Sequence, residues 1–139
     1  AANLLRSFGI SLEVVNVTYL RPMDLSPISR SIKKTNHLLV VDIGYPNFGF
    51  ASEVIAKIVL ANQGIIINLD SLTSLDLQQS TSYVENENSQ PRVIDVIKKL
   101  FILRPEMFRF SNFNEILSLA DMCDSSTKDV PSNFEIKNF

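Results

Sequence analysis

The chain reads Leu20-Arg21-Pro22-Met23-Asp24, then Lys34-Thr35-Asn36-His37-Leu38, then Gly44-Tyr45-Pro46-Asn47-Phe48-Gly49. Asp24 belongs to the residue types that cap the start of a helix, and the Asn36-His37 turn suits the end of that helix. Leu38 to Val41 is an apolar run of strand length, bounded by this turn and by the glycine loop. Together these stretches predict a helix, a buried strand and a second helix that begins after the loop.

The same alternation extends in both directions along the chain. Ala1 to Phe8 is compatible with a helix that Gly9 ends, and residues 12–17 are predicted to form a strand. Residues 65–69 suit either a strand or the end of the preceding segment, and residues 81–90 suit a surface loop. Two later helices are predicted, beginning at Pro91 and at Phe113. Alternating strands and helices with short connections indicate a layered α/β domain with a largely parallel sheet.

Composition excludes several classes of function. At 139 residues the chain suits one domain, and 45% hydrophobic with 20% charged residues is ordinary for a globular protein. A net charge of −2 gives no electrostatic case for binding nucleic acid or an anionic membrane. The longest apolar stretch, near residues 65–67, is too short to span a bilayer. One cysteine, Cys123, excludes an internal disulfide framework.

The motifs resemble the transketolase C-terminal domain family, and within it the C-terminal domain of pyruvate dehydrogenase beta subunits. The similarity runs from Gly9 to about Ile58 and includes Ser52-Glu53-Val54, which opens a helix. It resumes over residues 87–93 and continues to Leu100. The resemblance implies a three-layer α/β/α domain over residues 1–103, followed by an extension over residues 104–139 that is expected to dock on a partner.

The resemblance also implies that the sheet is incomplete. In the family, two strands precede the helix that corresponds to residues 1–8, and one of them lies centrally in a five-stranded mixed sheet. Residues 12–17 and 38–42 are therefore expected to flank a gap rather than to pair. Each buried backbone group left unpaired costs about 1–3 kcal/mol. We expect an additional N-terminal segment, another polypeptide or, with a weaker fit, residues 133–137 to fill the gap.

The chemistry of the family implies that this chain carries no catalytic, cofactor-binding or metal-binding residue. In these enzymes the pyrimidine ring of thiamine diphosphate binds a separate N-terminal domain of the beta subunit, which also supplies the activating glutamate. The diphosphate and its metal ion are held by the alpha subunit. Thiamine diphosphate and magnesium would enter only through an assembly with other chains. The residues themselves agree with this expectation, since the sequence has no recognised phosphate loop or Cys/His metal spacing. We interpret the single histidine, His37, as a turn residue, and the Gly44–Gly49 loop as a tight connection rather than an anion site.

Two groups of residues are singled out by the family pattern and by composition. Asp70 corresponds to an acidic residue that helps bind the subunit-binding domain of the acetyltransferase core. Five phenylalanines give the extension more apolar surface than a disordered tail carries, and they either pack on this domain or dock on neighbouring subunits. The predicted partner-binding set is Asp70, Phe108, Phe110, Phe113, Phe134 and Phe139. The predicted structural set is Arg21, Pro22, Asp24, Gly44, Pro46, Gly49 and Glu53.

The leading functional prediction is a non-catalytic structural subunit within a larger mitochondrial assembly, completed by other protein chains. Its location is inferred from the resemblance and not from a targeting signal. An alternative is the C-terminal piece of a split beta subunit, whose assembly would still decarboxylate pyruvate with thiamine diphosphate. A third option is an adaptor that binds an acetyltransferase core near Asp70.

Overall fold

The structure, a computed structural model, describes residues 1–74 and 90–126. Six helical elements and two strands occupy these residues. In chain order they are α1 (Ala2–Ser7), α2 (Ser26–Thr35), β1 (His37–Val41), α3 (Phe50–Ala61), β2 (Asn68–Leu72), α4 (Val93–Leu103), a 3-10 helix (Pro105–Phe108) and α5 (Phe113–Ser126).

The sheet of the described residues has two parallel strands. β1 pairs with β2 in a register that runs from His37 opposite Asn68 to Val41 opposite Leu72. Helix α3 makes the crossover between them, as parallel strands require. β1 corresponds to the predicted strand at residues 38–42. Residues 65–69 were compatible with a strand or with the end of the preceding segment, and β2 begins within them at Asn68 and continues to Leu72.

Helices cover both faces of this sheet. Leu39 of β1 packs in one core cluster with Leu5 of α1 and Ile97 of α4. Leu38 and Val40 face the opposite way and join a second cluster with residues of α2 and α3. Successive strand residues alternate between faces, so an all-apolar strand can serve two cores at once. The predicted three-layer α/β/α fold is confirmed, and within residues 1–74 and 90–126 its sheet consists of these two strands.

The helix ends follow the sequence signals. After α1, the N–H of Ile10 donates to the Leu5 carbonyl at 3.0 Å, and Gly9 takes a φ of 77° that suits glycine. Before α2, the N–H of Ser26 donates to Asp24 Oδ1 at 2.9 Å. Hydrogen bonding from Ser26 lowers the pKa of Asp24 below its usual value. Asn36 ends α2 in the left-handed conformation, with a φ of 55°.

The predicted strand over residues 12–17 is wrong, because these residues form no strand in the structure. Their composition favours an extended conformation, but a strand also needs a hydrogen-bonded neighbour. Within residues 1–74 and 90–126, no backbone hydrogen bond joins residues 11–17 to β1 or to any other element. Local pattern alone therefore predicts the conformation of this segment and not its pairing.

The C-terminal elements pack on the rest of the domain. Phe108, together with Ile116 and Ala120 of α5, lies in the same core as α1 and α4. Asp124 of α5 accepts the N–H groups of Val93 and Ile94 at 2.9 and 3.0 Å, which caps the first turn of α4. The helix predicted to begin at Phe113 is confirmed and continues to Ser126.

Several predictions fall on residues outside the described part of the chain. They are the loop over residues 81–89, the spare strand candidate at residues 133–137, and the docking residues Phe134 and Phe139.

Candidate functional site

A groove of about 770 Å³ lies between residues 11–17 and β1. One wall is formed by α2 and α3, which contribute Ile28 and Val54, and the other by α4 and the 3-10 helix, which contribute Leu100 and Met107. Leu38, Leu39 and Val40 form the floor and are only half-buried, although helices cover both faces of their strand.

The hydrogen-bond pattern of β1 shows which backbone groups face this groove. In a parallel ladder, each residue directs its N–H and C=O to one neighbour, and the next residue directs them to the other side. The Asn36 carbonyl accepts from Asn68 at 2.9 Å, and the Asp42 N–H donates to Leu72 at 3.0 Å. Even-numbered residues of β1 therefore bond to β2. The N–H and C=O groups of residues 37, 39 and 41 point away from β2, toward the groove.

The backbone and ring of His37 form hydrogen bonds with nearby residues. Its N–H and carbonyl both contact the Thr35 hydroxyl, at 3.3 and 3.1 Å. Its ring donates from Nδ1 to the Thr35 carbonyl at 2.6 Å and accepts at Nε2 from the Asn68 amide at 3.3 Å. These contacts are those of a structural turn residue. The backbone groups on the groove side of β1 that remain are those of Leu39 and Val41, which form its open edge. Neither backbone has a hydrogen-bond partner among residues 1–74 and 90–126.

Residues 11–17 form the far side of the groove. Leu12, Val15 and Val17 are half-buried and pack against the two cores, whereas Val14 is 73% exposed. Glu13 pairs with Lys34 of α2 at 3.3 Å, and both side chains are largely exposed. Surface pairs of this kind contribute about 0–1 kcal/mol, so the segment is held mainly by its apolar side chains.

The Gly44–Gly49 loop is a tight connection from β1 to α3. Asp42 Oδ2 accepts the N–H of Ala51 at 3.2 Å and so satisfies a free donor in the first turn of α3. The Ser52 hydroxyl donates to the Pro46 carbonyl at 2.6 Å. A side chain at Gly49 would collide with the Tyr45 carbonyl oxygen. The loop thus uses its own polar groups to close the turn.

The other residues of the predicted structural set lie around these turns. Glu53 pairs with Lys57 one helical turn later at 3.2 Å. Arg21 and Pro22 are exposed in the segment before α2. At Gly44, an added Cβ would come within 2.9 Å of Asp42 Oδ2.

Asp70 lies on β2, whereas the edge that borders the groove belongs to β1. Its Oδ2 accepts from Lys99 of α4 at 2.8 Å, and its Oδ1 accepts the N–H of Ser71 at 2.8 Å. The Asp70 and Lys99 side chains keep 33% and 34% of their surface exposed. A cationic partner would thus share this carboxylate with Lys99, and the binding role of Asp70 stays a prediction.

The described phenylalanines of the extension occupy different environments. Phe108 is 4% exposed, and its ring lies 5.5 Å from those of Phe101 and Phe113. Phe101 and Phe113 stack at 4.2 Å. Phe110, in contrast, is 97% exposed. Phe108 and Phe113 therefore contribute to this domain's own core, and Phe110 is the one of these three that presents its ring to solvent.

The groove is lined mainly by aliphatic side chains, and two of its three charged side chains, Glu13, Asp42 and Arg104, are carboxylates, which repel a diphosphate such as that of thiamine diphosphate. Within residues 1–74 and 90–126, no group of His, Cys, Asp or Glu is arranged to hold a metal ion. In the same residues, no helix is both long and apolar enough to cross a membrane.

Comparison with known proteins decides the family. The model of the transketolase C-terminal domain matches residues 1–89. The chain belongs to this family. It is 38% identical over 102 residues to the mitochondrial pyruvate dehydrogenase E1 component subunit beta of Bos taurus, and 37% identical over 102 residues to that of Homo sapiens. Each alignment covers 70% of this chain and 28% of the relative. The subunit of Saccharomyces cerevisiae is 40% identical over 60 residues, which are 42% of this chain and 16% of that relative.

These relatives confirm the resemblance that the motifs indicated. This transketolase C-terminal domain spans little more than a quarter of the length of the mammalian subunits that it matches. The resemblance predicted a gap beside residues 38–42, but it did not indicate that the backbone groups of Leu39 and Val41 are the ones that face it. Asp124 was missed, because it is separated from the turn that it caps by about thirty residues.

Proposed function

We propose that this chain is a non-catalytic structural domain in a mitochondrial assembly of the pyruvate dehydrogenase type, where other polypeptides complete its sheet. One observation carries the proposal: the backbone groups of Leu39 and Val41 lack partners among the described residues, at the floor of an apolar groove. Backbone donors and acceptors in such surroundings require a partner, and another polypeptide can supply it. The mitochondrial setting rests on the names of the relatives.

The assembly can be tested by isolating it from mitochondria through a tag on the full chain. We expect other protein subunits to copurify in fixed ratio, identified by mass spectrometry. We further expect that the recombinant chain alone unfolds at a lower temperature than the same chain within the isolated assembly. A monomeric chain that is as stable alone as it is within the assembly would contradict the proposal.

A second candidate function is supported by the similarity to the relatives and not by the groove. Identity of 37–39% over 102 residues to E1 beta subunits fits a C-terminal piece of a thiamine-diphosphate-dependent enzyme equally well. This candidate requires a copurifying chain that supplies the cofactor-binding parts, and pyruvate-dependent activity of the combined chains. An isolated assembly without this activity and without bound thiamine diphosphate would reject it.

A further inference from the structure

We infer that residues 127–139 run back along α5 and place Phe134 on an apolar patch at the start of that helix. The apolar patch consists of Phe101, Ile102 and Phe110. Residues 127–139 lie outside the described part of the chain and follow α5 directly. Such a contact goes beyond the proposed function, because it is made within one chain and requires no other polypeptide.

The apolar patch lies where α4 ends and α5 begins. The two helices are antiparallel. Near the end of α4, Phe101 stacks at 4.2 Å on Phe113, which starts α5, and near the end of α5, Asp124 accepts N–H groups from the start of α4. Ile102 and Phe110 are 71% and 97% exposed, and Phe101 is 37% exposed. A single exposed apolar side chain needs no explanation, whereas several at one place favour a segment or partner that covers them.

The segment after α5 is long enough to reach this patch. α5 has 14 residues, and at about 1.5 Å per residue it spans about 20 Å. An extended segment advances about 3.3 Å per residue, so about six residues that run back along α5 cover the same distance. Residues 127–132 fill this length, and Phe134 follows at the level of the apolar patch. Pro131 lies at the end of this stretch and favours an extended backbone over a continued helix.

The order of charged and apolar residues in the segment fits the same placement. Lys128 would lie about 7 Å back from the end of α5, and the exposed Asp121 lies at about the same distance along the helix. A cation and a carboxylate therefore meet at this level. Side chains alternate along an extended segment, so Phe134 and Ile136 would face the apolar patch together while Glu135 faces solvent.

A segment joined to α5 occupies the apolar patch more readily than a separate molecule does. Tethering through a short stretch gives the segment an effective concentration in the millimolar range. A second copy of the chain would compete only if its own concentration in solution were similar. The patch also lies beyond residues 1–89, which match the family model, so the family provides no occupant for it.

The test uses the full 139-residue chain with a single tryptophan, at a temperature below its unfolding transition. The natural sequence contains no tryptophan, so Phe134→Trp reports on this position alone. Asn138→Trp is the matched probe, because it lies in the same segment but beyond the expected contact. We expect acrylamide to quench the fluorescence of the Phe134→Trp variant with a constant at least threefold smaller than that of the Asn138→Trp variant. Equal quenching of the two variants would overturn the inference.

A second substitution in the Phe134→Trp variant identifies the surface that shields the probe. Phe110→Ser removes an apolar side chain of the patch, whereas Leu60→Ser removes one that is also exposed but belongs to α3, on the opposite side of the sheet. Both sites are exposed, so neither change should unfold the chain. We expect Phe110→Ser to raise the quenching constant to that of the Asn138→Trp variant, and Leu60→Ser to leave it unchanged. Equal effects of the two changes would overturn the inference.

The dependence on protein concentration separates the possible occupants of the patch. A contact within one chain is independent of concentration, so quenching should be the same at low and at high concentration of a monomer verified by light scattering. Shielding that appears only at high concentration would assign the patch to a second copy. Shielding that appears only in the isolated assembly would assign it to a partner chain. Either result would overturn the inference and leave the proposed function, which is tested by copurification, unaffected.

Discussion

Replacing Asp124 of α5 by alanine should destabilise the first turn of α4. The carboxylate accepts two N–H groups, those of Val93 and Ile94, at 2.9 and 3.0 Å. Hydrogen bonds to a charged group contribute about 1.5–3 kcal/mol, and loss of a helix cap costs about 0.5–2 kcal/mol. The freed amides are half-buried and regain water in part, so we expect a net loss of about 2 kcal/mol.

The measurement is amide hydrogen exchange at Val93 and Ile94, with urea unfolding of the full chain as a global readout. A loss of about 2 kcal/mol corresponds to roughly thirtyfold faster exchange, since each 1.4 kcal/mol is a factor of ten. Asp124→Asn keeps one acceptor oxygen and should have an intermediate effect. Asp121→Ala is the matched control, because Asp121 lies one turn earlier on α5 and is exposed. If the amides of Val93 and Ile94 exchange at the same rate in the Asp124→Ala and Asp121→Ala variants, the reasoning about this cap is refuted.

Three further predictions concern the core, the loop and the response to acid. Phe108→Ala should lower the free energy of unfolding in urea by about 3–4 kcal/mol, whereas Phe110→Ala at an exposed site should change it by less than about 0.5 kcal/mol; similar losses would contradict the assigned core. Gly49→Ala should cost about 1–3 kcal/mol in the same assay, because the added methyl group meets a backbone carbonyl, and a neutral result would show that the loop has room. Hydrogen bonding from Ser26 lowers the pKa of Asp24, so its contribution to folding is complete above its usual pKa of 3.8 and is lost as pH falls through the lower folded value. Titration of the carboxyl by NMR should give a pKa below 3.8, and a value at or above 3.8 would exclude this role.

The order of elements could be predicted because it depends on local signals. Asp24 and Gly9 mark helix boundaries through hydrogen bonds and backbone angles within a few residues of themselves. The apolar run of β1 indicated a strand covered on both faces, and the two cores confirm it. The resemblance to the transketolase C-terminal domain family added the expectation of an incomplete sheet, which local patterns do not contain.

The residues of the candidate site were predicted less well. His37 and the Gly44–Gly49 loop have the structural contacts expected of them. Asp70 was identified by resemblance, but its ion pair with Lys99 joins residues that are distant in the chain. The partner-binding role of the phenylalanines was inferred from composition, which does not distinguish a buried ring such as Phe108 from an exposed one such as Phe110.

Periodicity, capping residues and glycine positions thus specify the helices, the apolar strand β1 and the α/β class, since each acts over a few neighbouring residues. Tertiary structure alone decides whether an extended run finds a partner strand, which is why residues 12–17 were misassigned. The same holds for the cap from Asp124, and the resemblance predicted a gap beside residues 38–42 without indicating that Leu39 and Val41 face it. The physical reason is that a backbone hydrogen bond in a sheet, or one made by a distant side chain, depends on which segments meet in space.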